Sequence, residues 1–159
     1  MSGKGLLDMD MDRFTGLLNG AFTDVIRTMT GLDAEEASDC FTVEEDSITG
    51  AMAVFGSADM MVTLSTGIDA AKLIVAYMTG VIAADLTLSD IHDGMAELVN
   101  MFVGRLKADL VREGLDITIT SPFSISGNDV ELVFKDRTYC ICRYSITDDV
   151  GVILRIVNI

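Results

Sequence analysis

The chain has 159 residues, half of them hydrophobic, with 25 acidic residues against 11 basic ones, a formal charge of −14 and a single histidine. An acidic field of that size repels nucleic acid and anionic lipid, and no apolar run approaches the roughly 18 to 20 residues of a membrane helix. A mean hydropathy of +0.43 points instead to sheet buried on both faces or to a subunit interface.

The length suits one domain spanning residues 1–159. The first residues carry one lysine and several acids where a signal peptide has its apolar core, so a cytoplasmic location is expected. Residues 1–8 are expected to fray. From 9 to 30, Phe14, Leu17, Leu18, Ala21, Val25 and Met29 recur at helical spacing and Gly31 follows as a stop, giving a first amphipathic helix. The acidic stretch LDAEEASD then reads as a solvated connector. Residues 40–45, 47–55 and 59–65 are β-rich runs separated by acidic or glycine-containing turns, an antiparallel meander of three strands.

A compact helix is expected over 67–78, ending at Gly80. After a short linker, residues 89–113 carry the longest clean helical period in the chain. At ~100° per residue, Ile91, Met95, Leu98, Val99, Phe102, Val103, Leu106 and Leu110 share one stripe, while Asp90, Asp93, Glu97, Asn100, Gly104 and Lys107 share the opposite side. Thr87 or Ser89 is the expected N-cap. Strands are expected at 116–121, 130–134, 138–146 and 150–157. Between the first two, SPFSISGN, with the chain's single proline Pro122 and with Gly127, reads as an ordered loop. The order of helix, strands, two helices and strands implies an α+β fold with a sheet packed under helices.

Catalytic chemistry is sparsely signalled. Cys40, Cys140 and Cys142 are read as reduced, buried structural thiols, the last two on one face of a strand. Two such thiols and the lone His92 do not complete a zinc site, so no metal is expected. No Walker-type or GxGxxG loop is present. The outward face of the long helix is more informative. Glycine in a helix interior costs about 1 kcal/mol relative to alanine, so Gly104, on the face of Glu97 and Asn100, makes that face a candidate docking surface, the alternative being a plain solvated helix face.

The segment DGMAELVNMFVGRLKADL at 93–110, followed by ITITSPFSISG at 117–127, resembles the CheC/CheX family of chemotaxis phosphatases. The family pattern is an Asp or Ser, a Glu four positions on, an Asn three after that, and a proline downstream. Asp93, Glu97, Asn100 and Pro122 stand in those places, and Met101, Gly104 and Lys107 continue the match. The first helix has Asn19 but Gly16 where the Glu would be, so the chain resembles the single-site CheX type.

The resemblance implies a CheC/CheX-like fold, antiparallel sheets against long helices carrying the active-site face. It also implies hydrolysis of the aspartyl phosphate of a CheY-type response regulator, a protein-phosphatase activity within two-component signalling. On that basis Glu97 docks on the partner and Asn100 positions the attacking water, with Asp93, Met101, Gly104 and Lys107 at the partner contact. The chain itself binds no cofactor, Mg²⁺ being supplied by the phosphorylated partner, and a homodimer is expected. The competing reading is a non-catalytic interaction module of the same fold that binds a response regulator or a flagellar-switch component. A retained Asn100 beside Glu97 favours the enzyme.

Overall fold

The apolar stripe of the long helix decides where everything else packs. In the computed structural model, which describes residues 6–38, 46–128, 130, 133 and 138–159, this helix, α3, runs Leu88–Arg112. All eight residues of the predicted stripe are buried, as is Gly94. Burying each large aliphatic side chain contributes about 1.5–3 kcal/mol, so the stripe outweighs the cap, which contributes about 1 kcal/mol. Thr87 is the N-cap. Its Oγ1 accepts from the Asp90 backbone N–H at 3.2 Å, and Asp90 Oδ2 accepts from the Thr87 N–H at 2.8 Å, a reciprocal capping box. The Thr87 backbone N–H, and after it the Thr87 hydroxyl, hold the Asp90 carboxyl below its ordinary range.

Two further helices flank α3. Helix α1, Met11–Thr30, ends at Gly31 in the left-handed conformation, φ 75°, and α2, Ile68–Thr79, ends the same way at Gly80, φ 74°. Phe22 of α1 meets Phe102 of α3 edge to face, with ring centroids 5.9 Å apart. Val75 of α2 lies against Gly94, where a Cβ would come within 2.4 Å of Val75 Cγ2.

Beneath the helices is one antiparallel sheet. Its strands are β1 (Glu35–Glu36), β2 (Asp46–Gly56), β3 (Met60–Gly67), β4 (Ile117–Ile119), β5 (Phe123–Asn128), β6 (Thr138–Thr147) and β7 (Val150–Asn158). The order is β1-β6-β7-β3-β2-β4, with β5 also paired to β2. Residues 48–54 of β2 are buried without a break, which explains why its sequence alternates only loosely and accounts for part of the high hydropathy. Ile48, Met52 and Val54 of β2, Tyr144 of β6 and Val152, Leu154 and Ile156 of β7 join the helix stripes in one apolar cluster.

Helix α3 crosses β2 at Gly50, where a Cβ would lie 2.6 Å from the Met95 carbonyl oxygen and 3.3 Å from Val99 Cγ1. Only glycine lets the helix backbone come that close to the strand.

Several expectations are corrected. SPFSISGN is mostly a strand: Phe123–Asn128 pairs with β2 from Ala51 to Asp46. Its turn-forming residues are overridden because β2 offers an unsatisfied edge, and Pro122 sits just outside the ladder, where its missing N–H is harmless. The acidic connector contributes β1, paired to β6 through Glu35↔Ser145 and Glu36↔Tyr144. Leu6 is tied down rather than frayed: it is 3% exposed, and its N–H reaches the Ser57 carbonyl at 3.3 Å. The meander is a β2–β3 hairpin whose next neighbour is β7. The strand expected at 40–45 lies outside the described residues, as does most of the one at 130–134.

The crossing yields a paired test. Gly50→Ala should cost about 1–3 kcal/mol through forced separation of α3 from β2, lowering the melting temperature by roughly 2–4 °C for each kcal/mol. Gly104→Ala, with nothing within 4 Å of the added Cβ, should stabilise by about 0.5–1 kcal/mol. Calorimetry on both variants checks the opposite signs.

Candidate functional site

Because the inward face of α3 is locked, its outward face is fixed as well. Asp93, Glu97 and Gly104 are exposed, Asn100 and Lys107 are half-buried, and Met101 is 38% exposed. The Asn100 side-chain amide donates to Glu97 Oε2 at 3.4 Å, long for a hydrogen bond, so the pair is oriented but weakly coupled. Gly104, one turn on, leaves the space beside the pair open. The sequence-predicted residues therefore lie on one accessible strip. Lys107 makes no ion pair among the described residues, whereas Arg105 is engaged within the chain, 2.7 Å from Asp24 of α1 and 3.3 Å from Asp109. These carboxylates, Asp109 foremost, raise its pKa. Asn19, the lone asparagine of α1, is engaged too: its Oδ1 accepts from the Tyr144 hydroxyl and its Nδ2 donates to Glu36 at 3.1 Å.

Pro122 is half-buried at the entry to β5. Its relation to Asn100 follows from the crossing at Gly50. Val99, the residue before Asn100, packs there, and Ser124, two residues after Pro122, is the β5 partner of Gly50. Both candidate residues thus sit within two positions of one contact.

Sequence reading missed what clamps that contact. His92, in the first turns of α3, lies 2.6 Å from Ser124 Oγ through Nδ1 and 2.9 Å from Ser126 Oγ through Nε2. The Ser124 hydroxyl also donates to the His92 carbonyl at 3.3 Å. Having donated its hydrogen there, Ser124 accepts from Nδ1–H, and in the neutral ring Nε2 then accepts from the Ser126 hydroxyl. Every polar atom of the clasp is matched. The available signal was the alternation of Ser124 and Ser126 with Phe123 and Ile125, which is strand-like; the pairing with a histidine more than thirty residues away is not visible in sequence.

No group of three or more His, Cys, Asp or Glu able to hold a metal occurs among the described residues. The strip can offer a carboxylate, a neutral amide and an open approach. Its side chains include no hydroxyl or thiol that could serve as a nucleophile.

The model of the family "Chemotaxis phosphatase CheX" matches residues 48–144, the span from β2 through α3 to β6. No curated protein matches the chain in sequence. Among solved structures, the chain is similar to the chemotaxis protein CheX from Vibrio vulnificus, with TM-score 0.77, 19% identity, and coverage of 91% of this chain and 95% of that one. A CheC-like superfamily protein from Shewanella sp. PV-4 gives TM-score 0.78 and 18% identity over 94% and 98% of the two chains. A third is the CheX–CheY–BeF₃–Mg²⁺ complex from Borrelia burgdorferi, matched at TM-score 0.75 and 16% identity over 91% and 96%. At these identities the likeness establishes the fold.

The clasp makes its own prediction. His92→Ala leaves two half-buried hydroxyls without their ring partner, which should cost about 1–3 kcal/mol. Amide exchange should speed up in β5 well before it does in β7, a difference that hydrogen-exchange mass spectrometry resolves by peptide.

Proposed function

The chain belongs to the chemotaxis phosphatase CheX family, and from that premise we propose that it hydrolyses the aspartyl phosphate of a CheY-type receiver domain. The observation that carries this reading is the Glu97–Asn100 pair, an amide held beside a carboxylate on an open helix face. Glu97 docks against a basic side chain beside the receiver's phosphorylation site. The Asn100 amide then lies over the phosphoryl group and holds a water in line with the aspartyl oxygen. The water oxygen forms the new bond to phosphorus, the aspartyl O–P bond breaks, and the receiver recovers its carboxylate as inorganic phosphate leaves.

An acyl phosphate is already a good leaving system, so alignment of the water supplies the rate, and no nucleophile from this chain is required. The receiver's own Mg²⁺ supplies charge neutralisation at the phosphoryl oxygens. Asp93, Met101, Gly104 and Lys107 form the rim, with Gly104 admitting the receiver's loop and Met101 giving a soft apolar contact. The acidic net charge steers a partner whose docking face is basic.

The expected homodimer cannot use β7 as an edge, because β7 lies between β3 and β6. A contact through β5, whose Phe123 and Ile125 are 45% and 36% exposed, is the better candidate.

Phosphate release from a phosphorylated CheY-type receiver with Mg²⁺ tests the reading. Wild type should accelerate decay, Asn100→Ala should lower kcat by about a hundredfold or more, and Glu97→Ala should weaken binding by about 10- to 100-fold. Binding without acceleration by any variant would reassign the chain as an interaction module of the same fold.

A further inference from the structure

The two cysteines on β6 do not fit the role of inert core thiols. They stand two residues apart on the helix-facing side of the strand, in register with Ile156 and Leu154 of β7. Their sulfurs are 3.5 Å apart, in contact, with no disulfide between them. They differ in access: Cys142 is buried, 4% exposed, while Cys140 is half-buried. The ladder is irregular between Thr138 and Cys140, so the strand is locally released from strict pleat geometry at the outer thiol.

The surroundings treat the two sulfurs differently. The Cys142 S–H, and after it the Thr15 hydroxyl of α1, favour the Cys140 thiolate, while burial and Glu36 oppose it; the net direction is down. Cys142 is pushed up, first by its contact with Cys140 and then by burial. An accessible sulfur with thiolate character beside a buried partner is the arrangement that reacts with oxidants and then resolves.

We propose that Cys140 and Cys142 form a redox-reactive dithiol that is oxidised by a neutral hydroperoxide to an intrachain disulfide. The oxidant class follows from charge: Glu36 and the chain's −14 disfavour an anionic disulfide reagent but not an uncharged peroxide. In the first step the Cys140 thiolate attacks a peroxide oxygen. The S–O bond forms, the O–O bond breaks, and the departing alkoxide or hydroxide takes a proton from water, leaving a sulfenic acid. In the second, Cys142 attacks that sulfur, the S–S bond forms, and the sulfenic oxygen leaves as water with the Cys142 proton. Two thiols lose two electrons and the peroxide gains them. Positions two apart on an extended strand hold their Cβ atoms farther apart than a disulfide spans, so closure draws on the irregular step between Thr138 and Cys140, and the strained product is readily reducible by thiols. The next residue on the same face, Tyr144, stacks on Phe22 at 4.0 Å and donates to Asn19, so closure occurs next to the α1 contact.

The test uses the full chain with Cys40→Ser, treated with hydrogen peroxide and analysed by intact and peptide mass spectrometry. The expected result is loss of the mass of two hydrogens, mapped to a link between Cys140 and Cys142 and reversed by a thiol reductant. With Cys142→Ser added, peroxide should stop at a sulfenic acid on Cys140 that a dimedone probe traps. Alkylation of the reduced chain at neutral pH should modify Cys140 at least about tenfold faster than Cys142. The proposal is overturned if peroxide leaves both thiols intact, if Cys140 over-oxidises without forming the link, or if only bonds between chains appear.

Discussion

The structure depends on one close approach, the crossing of α3 over β2 at Gly50. A helix that packs through side chains alone can shift as its partners adjust, whereas here the Met95 carbonyl oxygen lies 2.6 Å from where a Cβ of residue 50 would be. Gly94 plays the same part toward Val75 of α2. With backbone against strand on one side and a small residue against the neighbouring helix on the other, the roll and height of α3 are fixed. The outward strip of Asp93, Glu97, Asn100 and Gly104 inherits that rigidity.

Rigidity matters because of what the strip lacks. It carries no metal cluster among the described residues and no hydroxyl or thiol nucleophile, so the proposed chemistry rests on holding other groups in place. Positioning of this kind is sensitive to displacements of an ångström or less. The same crossing point gathers Val99, the strand that follows Pro122, and the His92 clasp on Ser124 and Ser126, so the two halves of the family motif are fastened together by groups outside it. Among the described residues, the acids of the strip form no ion pair. Arg105 and Arg112 of α3 are held instead by Asp24 and Asp109.

What sequence made legible follows the range of the interactions involved. The stripe of α3 could be read because eight apolar residues repeat at one period, and the stops at Gly31 and Gly80 because only glycine adopts their left-handed conformation cheaply. The motif residues were legible as a surface because they fall opposite that stripe. The N-cap was ambiguous, since Thr87 and Ser89 are both good caps; the reciprocal bond from Asp90 selects Thr87. Strand β5 was hidden by Pro122, Gly127 and three serines, residues whose local preference is for turns, and it forms because β2 is a long strand with an edge to fill. Strand β1, the anchoring of Leu6 and the His92 clasp rest on contacts between distant segments, which local pattern does not encode. Cys140 and Cys142 were rightly placed on one face, but the contact of their sulfurs and the half-burial of Cys140, expected to be buried, are properties of packing; Cys40 lies outside the described residues.

The claim at the centre of this account is that an amide at position 100, in a fixed place, is what the helix contributes to chemistry. Asn100→Asp preserves size and shape while replacing the donor with a second carboxylate beside Glu97. Single-turnover decay of a phosphorylated CheY-type receiver held in saturating complex with this variant is the direct measurement. The account predicts that the bound receiver loses its phosphate no faster than the free receiver does; decay at the wild-type rate would contradict it.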